Sequence, residues 1–185
     1  MASVLHPNEL IVAFVASDGP SSKLQTATVS GAGLTWTLVR RANTRGMAEV
    51  WQARATAQLT NVTVQSSLGI TGYSHSLTVV AFRNASGIGA AASGSGDLAA
   101  TSVSLVTTAP NSVVYGVGND ADRADARALG PGQAMVHQWI ATANSRTFWV
   151  QSGNTAVPSA GTTVQVNSTA PNDNRWNFVG VEIVP

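Results

Sequence analysis

The densest cluster of ionisable side chains in the 185-residue chain is Asn119-Asp120-Ala121-Asp122-Arg123-Ala124-Asp125, with three carboxylates and an amide in seven residues. Calcium takes about six to eight oxygens, often from carboxylates and carbonyls spaced by two along a loop. Asp120, Asp122 and Asp125 partly meet that spacing, which makes them the candidate metal ligands and calcium the ion they would hold. The glycine and closing glutamate of an EF-hand are missing, and Arg123 and Arg127 stand nearby with opposite charge. A solvated loop of carboxylate–arginine pairs, each contributing little, is the competing reading. No other cofactor is called for.

His137 lies in Met135-Val136-His137-Gln138-Trp139, where strand alternation puts His137 and Trp139 on one face and Val136 and Gln138 on the other. As a general base it would need a nucleophile and an orienting carboxylate, and Glu49 or Asp120 would serve if the fold brought them together. That would be a hydrolase or lyase on a jelly-roll scaffold. No GxSxG, HExxH or SxxK pattern occurs, so a structural histidine satisfied by a backbone carbonyl is the plainer reading and no catalytic residue is assigned. Gly87-Ile88-Gly89-Ala90-Ala91-Ala92 fits GxGxx[GA], yet no helix follows it to face a pyrophosphate. Lys23, the only lysine, sits beside a Gly-Pro loop, a poor place for a buried isopeptide crosslink.

The five tryptophans carry the remaining signal. Exposed indole rings stack on sugar faces in carbohydrate-binding modules, whereas buried ones fill sandwich cores. Trp36 alternates with Leu34 and Leu38, and Trp176 with Phe178, so both read as core. Trp51 shares its face with Glu49 and Ala53 and is the ring most expected at the surface. Trp139 accompanies His137, and Trp149 accompanies Thr147 and Gln151, which leaves both assignments open. Trp51, Trp139, Trp149 and His137 are therefore the candidate ligand-binding residues.

The elements that must position these groups are strands. Runs with period-2 alternation or β-branched residues fall near 9–17, 26–30, 34–41, 47–56, 61–66, 75–84, 101–108, 111–118, 133–142, 146–152, 162–167 and 175–184, between Gly, Pro, Asn and Asp clusters. Residues 120–129 have a helix-favouring composition but no apolar stripe, and read as a loop or one helical turn. Ser86 to Gly96 reads either as a flexible connection or as a strand closely approached by another backbone. A dozen strands without crossover helices predict an all-β chain: one domain over residues 1–185, an antiparallel two-sheet β-sandwich of jelly-roll or related Greek-key topology, each sheet hiding one face.

Composition excludes several classes. Charged residues are 10%, well below the roughly 25% of an average domain, and the formal charge is +1. A phosphate-binding face needs clustered Lys and Arg, so nucleic acid is not an expected partner. No apolar run reaches the ~18 residues of a membrane-spanning helix. With no cysteine there is no thiol nucleophile and no zinc–thiolate site. Met1 to Pro7 lacks a basic segment followed by an apolar one, so no secretory signal is expected in the chain as given.

Residues 9–20 (ELIVAFVASDGP), 31–43 (GAGLTWTLVRRAN), 48–55 (AEVWQARA), 76–82 (SLTVVAF), 111–120 (NSVVYGVGND), 130–139 (GPGQAMVHQW), 147–152 (TFWVQS) and 170–183 (APNDNRWNFVGVEI) together resemble a bacterial extracellular β-sandwich repeat domain. Such accessory domains are strung beside fibronectin-type and immunoglobulin-like units in large secreted proteins. The resemblance implies a secreted or cell-surface setting within a longer chain. It also implies a non-catalytic role in binding or adhesion, with no ligand residue to carry over. The most concrete expectation is a carbohydrate-binding accessory domain whose partner is a polysaccharide or other cell-surface ligand. A structural spacer or self-assembling surface subunit is the alternative, and the oligomeric state is open.

Overall fold

The computed structural model describes residues 6–185, so of the Met1 to Pro7 segment read as free of a signal, Met1 to Leu5 lie outside the described residues. In chain order the strands are β1 (Leu10–Ser17), β2 (Ala27–Gly31), β3 (Thr37–Ala42), β4 (Met47–Arg54), β5 (Val64–Leu68), β6 (His75–Phe82), β7 (Gly87–Gly96), β8 (Ser102–Val106), β9 (Val113–Asp120), β10 (Ala128–Leu129), β11 (Gln133–Ala141), β12 (Arg146–Gly153), β13 (Thr163–Ala170) and β14 (Trp176–Val184). One 3-10 turn, Thr142–Asn144, links β11 to β12, and no α-helix occurs among the described residues. Among the described residues no helix is long and apolar enough to cross a membrane.

Two antiparallel sheets form the centre. One has the order β3-β4-β1-β6 and the other β11-β12-β9-β14-β7, and neither closes into a barrel. They pack face to face over Leu10, Val12, Phe14 and Ala16 of β1, Val50 of β4, Val117 of β9, Phe148 and Val150 of β12, and Val179 and Val181 of β14. This is the expected sandwich.

Each central sheet is also covered on its outer face, which corrects the expectation of one hidden face per sheet. The β2–β5 ribbon packs Ala27, Val29, Val64 and Leu68 against Ala13 and Val15 of β1 and Met47 of β4. On the far side, Val103 and Leu105 of β8 and Val166 of β13 close over Trp149 and Phe178. The result is a four-layer stack with three apolar seams. A strand buried on both faces has no polar side to show, and it reads as a continuous apolar run. That is why LIVAFVAS of β1 is buried at every position, as is β14 up to its last residue.

Two buried glutamates tie the outer layers to the inner sheets. Glu49 of β4 accepts hydrogen bonds from the Ala27 backbone N–H (3.2 Å), the Trp51 indole (2.6 Å) and the Arg41 guanidinium. Glu182 of β14 accepts from the backbone N–H of Ala90 (2.8 Å), Thr108 (2.8 Å) and Ala109 (3.2 Å), and from the Thr108 hydroxyl (2.8 Å). Burial pushes the Glu182 carboxyl up, but these donors outweigh it and hold the group at about 2.

All twelve expected strands are present, with ends shifted by a few residues. Residues 121–127 form a loop and 128–129 the two-residue strand β10 rather than a helical turn. Within Ser86 to Gly96, residues 87–96 form a strand rather than a flexible connection, but what approaches it closely is side chains and not another backbone. It is edge strand β7, where a side chain at Gly96 would meet the Trp176 indole at 2.8 Å.

Candidate functional site

The acidic loop folds around arginines. Asp120 is fully buried at the end of β9, paired with the buried Arg127 guanidinium and with the Asn174 amide. Its other oxygen accepts from the backbone N–H of Asp122 (2.8 Å) and Arg123 (3.1 Å), an Asx-type turn. Arg127 lies over the Trp149 ring at 4.4 Å from its centroid, and burial lowers its pKa against the opposing pull of Asp120. Asp122 is gripped by the Arg175 side chain and backbone N–H, Arg123 pairs with Asp173, and Asp125 is exposed. Asp120, Asp122 and Asp125 thus do not converge on one point, and no group of three or more metal-ligating side chains stands together among the described residues.

His137 is exposed on β11 and stands apart from both carboxylates named for it. Its register partner is Val150, a core residue between the central sheets, so it belongs to the inner face. Asp120 pairs with Trp176 and Thr147 on the opposite face of that sheet, and Glu49 points from β4 toward the β2–β5 ribbon. Among the described residues the fold brings neither Glu49 nor Asp120 to His137.

The tryptophans separate by layer. Trp149 is 1% exposed, stacked on Phe178 with centroids 5.7 Å apart and its indole N–H on Gln151 (2.8 Å), so it presents no face to a ligand. Trp176 is buried in the same seam. Trp51 and Trp36 are half-buried against the β2–β5 ribbon, with indole N–H groups on Glu49 and on the Gly31 carbonyl (3.2 Å). Trp51 is therefore a covering residue of the ribbon seam, not the most open ring. Trp139 is the open ring among the five, at 41% exposure.

The reason lies in strand count. Across the central seam β3 faces β7, β4 faces β14 and β9, β1 faces β9 and β12, and β6 faces β12. The four-stranded sheet ends there, one strand short, and β11 extends beyond it as a shelf. His137 and Trp139 share the inner face of that shelf with Phe148 and Val150 of the neighbouring strand. The deeper pair is roofed by β1 and β6, while His137 and Trp139 lie open. Val136, displaced at a register shift between Met135 and His137, adds apolar surface at 40% exposure.

The wall of the shelf is β6. Its eight residues pair with β1 in unbroken register from His75 opposite Ser17 to Phe82 opposite Leu10. Among the described residues no hydrogen bond reaches the backbone on its other side. The other three edges of the central sheets are each interrupted by a register shift, at Leu38/Arg40 for β3, Met135/His137 for β11 and Val181/Ile183 in the pairing of β7. Arg40 and Arg41 guard β3 further. β6 has no bulge, no proline, no glycine and no charge. A separate cleft of about 380 Å³, lined by Thr35, Gln52, Arg54 and Ser86, is less open to chemistry because Arg54 donates to the carbonyls of Asn8 (2.6 Å), Ala85 (3.2 Å) and Ser86 (2.6 Å).

A scan against protein-family models, a search of curated proteins and a search of solved structures each found no match to the chain.

Proposed function

We propose that the protein is a non-catalytic binding module that takes a linear ligand along the uncovered inner face of β11, beside the open edge of β6. The supporting observation is the position of Trp139, a large aromatic left 41% exposed on a face whose neighbouring members fill the core. Trp139 and Val136 stand open on the same strand, and an aromatic ring within such an apolar patch is what an interaction site presents. The ionisable groups that chemistry would require are engaged elsewhere: Glu49 and Glu182 tie layers together, and Asp120 neutralises a buried arginine. Self-assembly through strand edges has less support, because three of the four central edges are interrupted. A saccharide reading keeps one specific observation in its favour, the open Trp139 ring with His137 beside it on the same face.

The test is retention on a panel of insoluble polysaccharides and immobilised extended peptides, for the native chain and for Trp139→Ala and Trp51→Ala. Binding to at least one polymer is expected, reduced tenfold or more by Trp139→Ala and little changed by Trp51→Ala. Equal retention of native chain and Trp139→Ala on every polymer, or retention on none, would contradict the proposal.

A further inference from the structure

We propose that the missing fifth position of the four-stranded sheet is a strand-addition site, and that its occupant is an uncharged, extended polypeptide segment of about eight residues with apolar side chains at alternate positions. This rests on the reading of the β11 face as a binding surface, and it names the ligand class.

The wall selects polypeptide. On an antiparallel edge strand, alternate residues turn both N–H and C=O outward, in a row that another strand matches at about 4.8 Å. β6 offers this row over eight residues in unbroken register. Strand addition takes affinity from such main-chain bonds and specificity from side-chain sites at every second residue. A saccharide would stack on Trp139 but leave the β6 donors and acceptors without partners in register.

The floor selects the side chains. An added strand beside β6 would lie over β11, with every second side chain pointing at Trp139 and His137. Val136, at the register shift beside His137, extends the apolar surface along the same strand. Neither β6 nor β11 contains Asp, Glu, Lys or Arg, so nothing there would compensate a desolvated charge on the incoming segment.

The width excludes a second whole copy pairing edge to edge. In each copy β12 lies under β6, and β11 lies one strand further out. Setting the β6 of a second copy against this one would put the β12 of that copy in the space that β11 fills. One free strand fits the position, and a sandwich edge does not.

The experiment uses the intact chain and a displayed pool of uncharged octapeptides in which Val, Ile, Leu or Phe alternates with Thr, Ser or Gln. The most enriched peptide is then compared with two versions carrying backbone N-methyl groups on one or the other set of alternate residues, with amide hydrogen exchange locating the contact. Enrichment is expected. One methylated version is expected to lose at least tenfold in affinity while the other binds as before, because only one edge of an added strand meets β6. Exchange is expected to slow at outward-facing amides of β6. Failure of any peptide to enrich, equal binding by both methylated versions, or protection confined to residues outside β6 would overturn strand addition. If polysaccharide retention still depends on Trp139 in that case, the binding-module reading stands without the peptide. If nothing depends on Trp139, both fall.

Discussion

Trp139 and Phe148 stand opposite each other in register on β11 and β12, ring centroids 5.3 Å apart, yet Phe148 is completely buried and Trp139 is 41% exposed. Both belong to the inner face of the five-stranded sheet. What separates them is the reach of the sheet above, which covers β12 with β6 and stops. One strand of difference between two packed sheets turns half of an aromatic pair from core into surface.

That difference sets an unequal response to truncation. Trp149→Ala, in the closed seam against Phe178, is expected to cost about 3–5 kcal/mol. Trp139→Ala loses its pairing with Phe148, roughly 0.5–1.5 kcal/mol, and only part of a full ring's burial, so a smaller total loss than for Trp149→Ala is expected. Urea unfolding of the two variants checks this, and equal losses would contradict the layer assignment.

Gly118 of β9 lies between Trp149 and Phe178 in register, and an added Cβ there would come within 2.5 Å of the indole and 2.7 Å of the phenyl ring. The stack of the two rings requires the missing side chain. Gly118→Ala is expected to destabilise by about 1–3 kcal/mol through overpacking, read as a lower denaturant midpoint. An unchanged midpoint would mean the rings move aside freely.

The Glu182 carboxyl is held at about 2 against an ordinary value of 4.5. A depressed folded-state value means the unfolded chain binds the proton first, so this contribution is complete above about 4.5 and disappears as pH falls toward 2. Unfolding midpoints followed from pH 6 to pH 2 are expected to fall across that window, and to fall less steeply in Glu182→Gln. Identical pH profiles would show that the carboxylate is not what binds the β8 end to β14.

Asp120 and Arg127 form an ion pair with both side chains fully buried. Removing one partner strands the other charge, at a typical cost of about 3–5 kcal/mol. Asp120→Ala is expected to lose that much and Asp120→Ala/Arg127→Met to recover a good part of it. Because arginines already engage Asp120 and Asp122, millimolar calcium is expected to leave the thermal midpoint of the native chain unchanged, and an upward shift on adding calcium would revive the metal site.

Strand positions were readable because apolar alternation and turn residues are local properties. Two features were not. Continuous apolar runs such as LIVAFVAS show that a strand is buried, but a single covered face and two covered faces are hard to tell apart in so short a run, so the outer layers went unseen. The shelf depends on strand count in two sheets, a property of topology that no residue on β11 records. Face assignments for Trp51 and Trp139 survived, since alternation fixes faces. Their exposures did not follow, because exposure is decided by what stands opposite. The β6 edge had a signal in its uncharged sequence HSLTVVAF, but only the pairing pattern shows that it lies at a sheet edge.

Amide hydrogen exchange along β6 in the ligand-free chain tests the open strand position most directly. Amides bonded to β1 are expected to be protected, and those at alternate positions between them to exchange rapidly, while β1 is protected throughout because it is paired on both sides. Uniform protection along His75–Phe82 would show that the edge is already covered and would contradict the binding shelf.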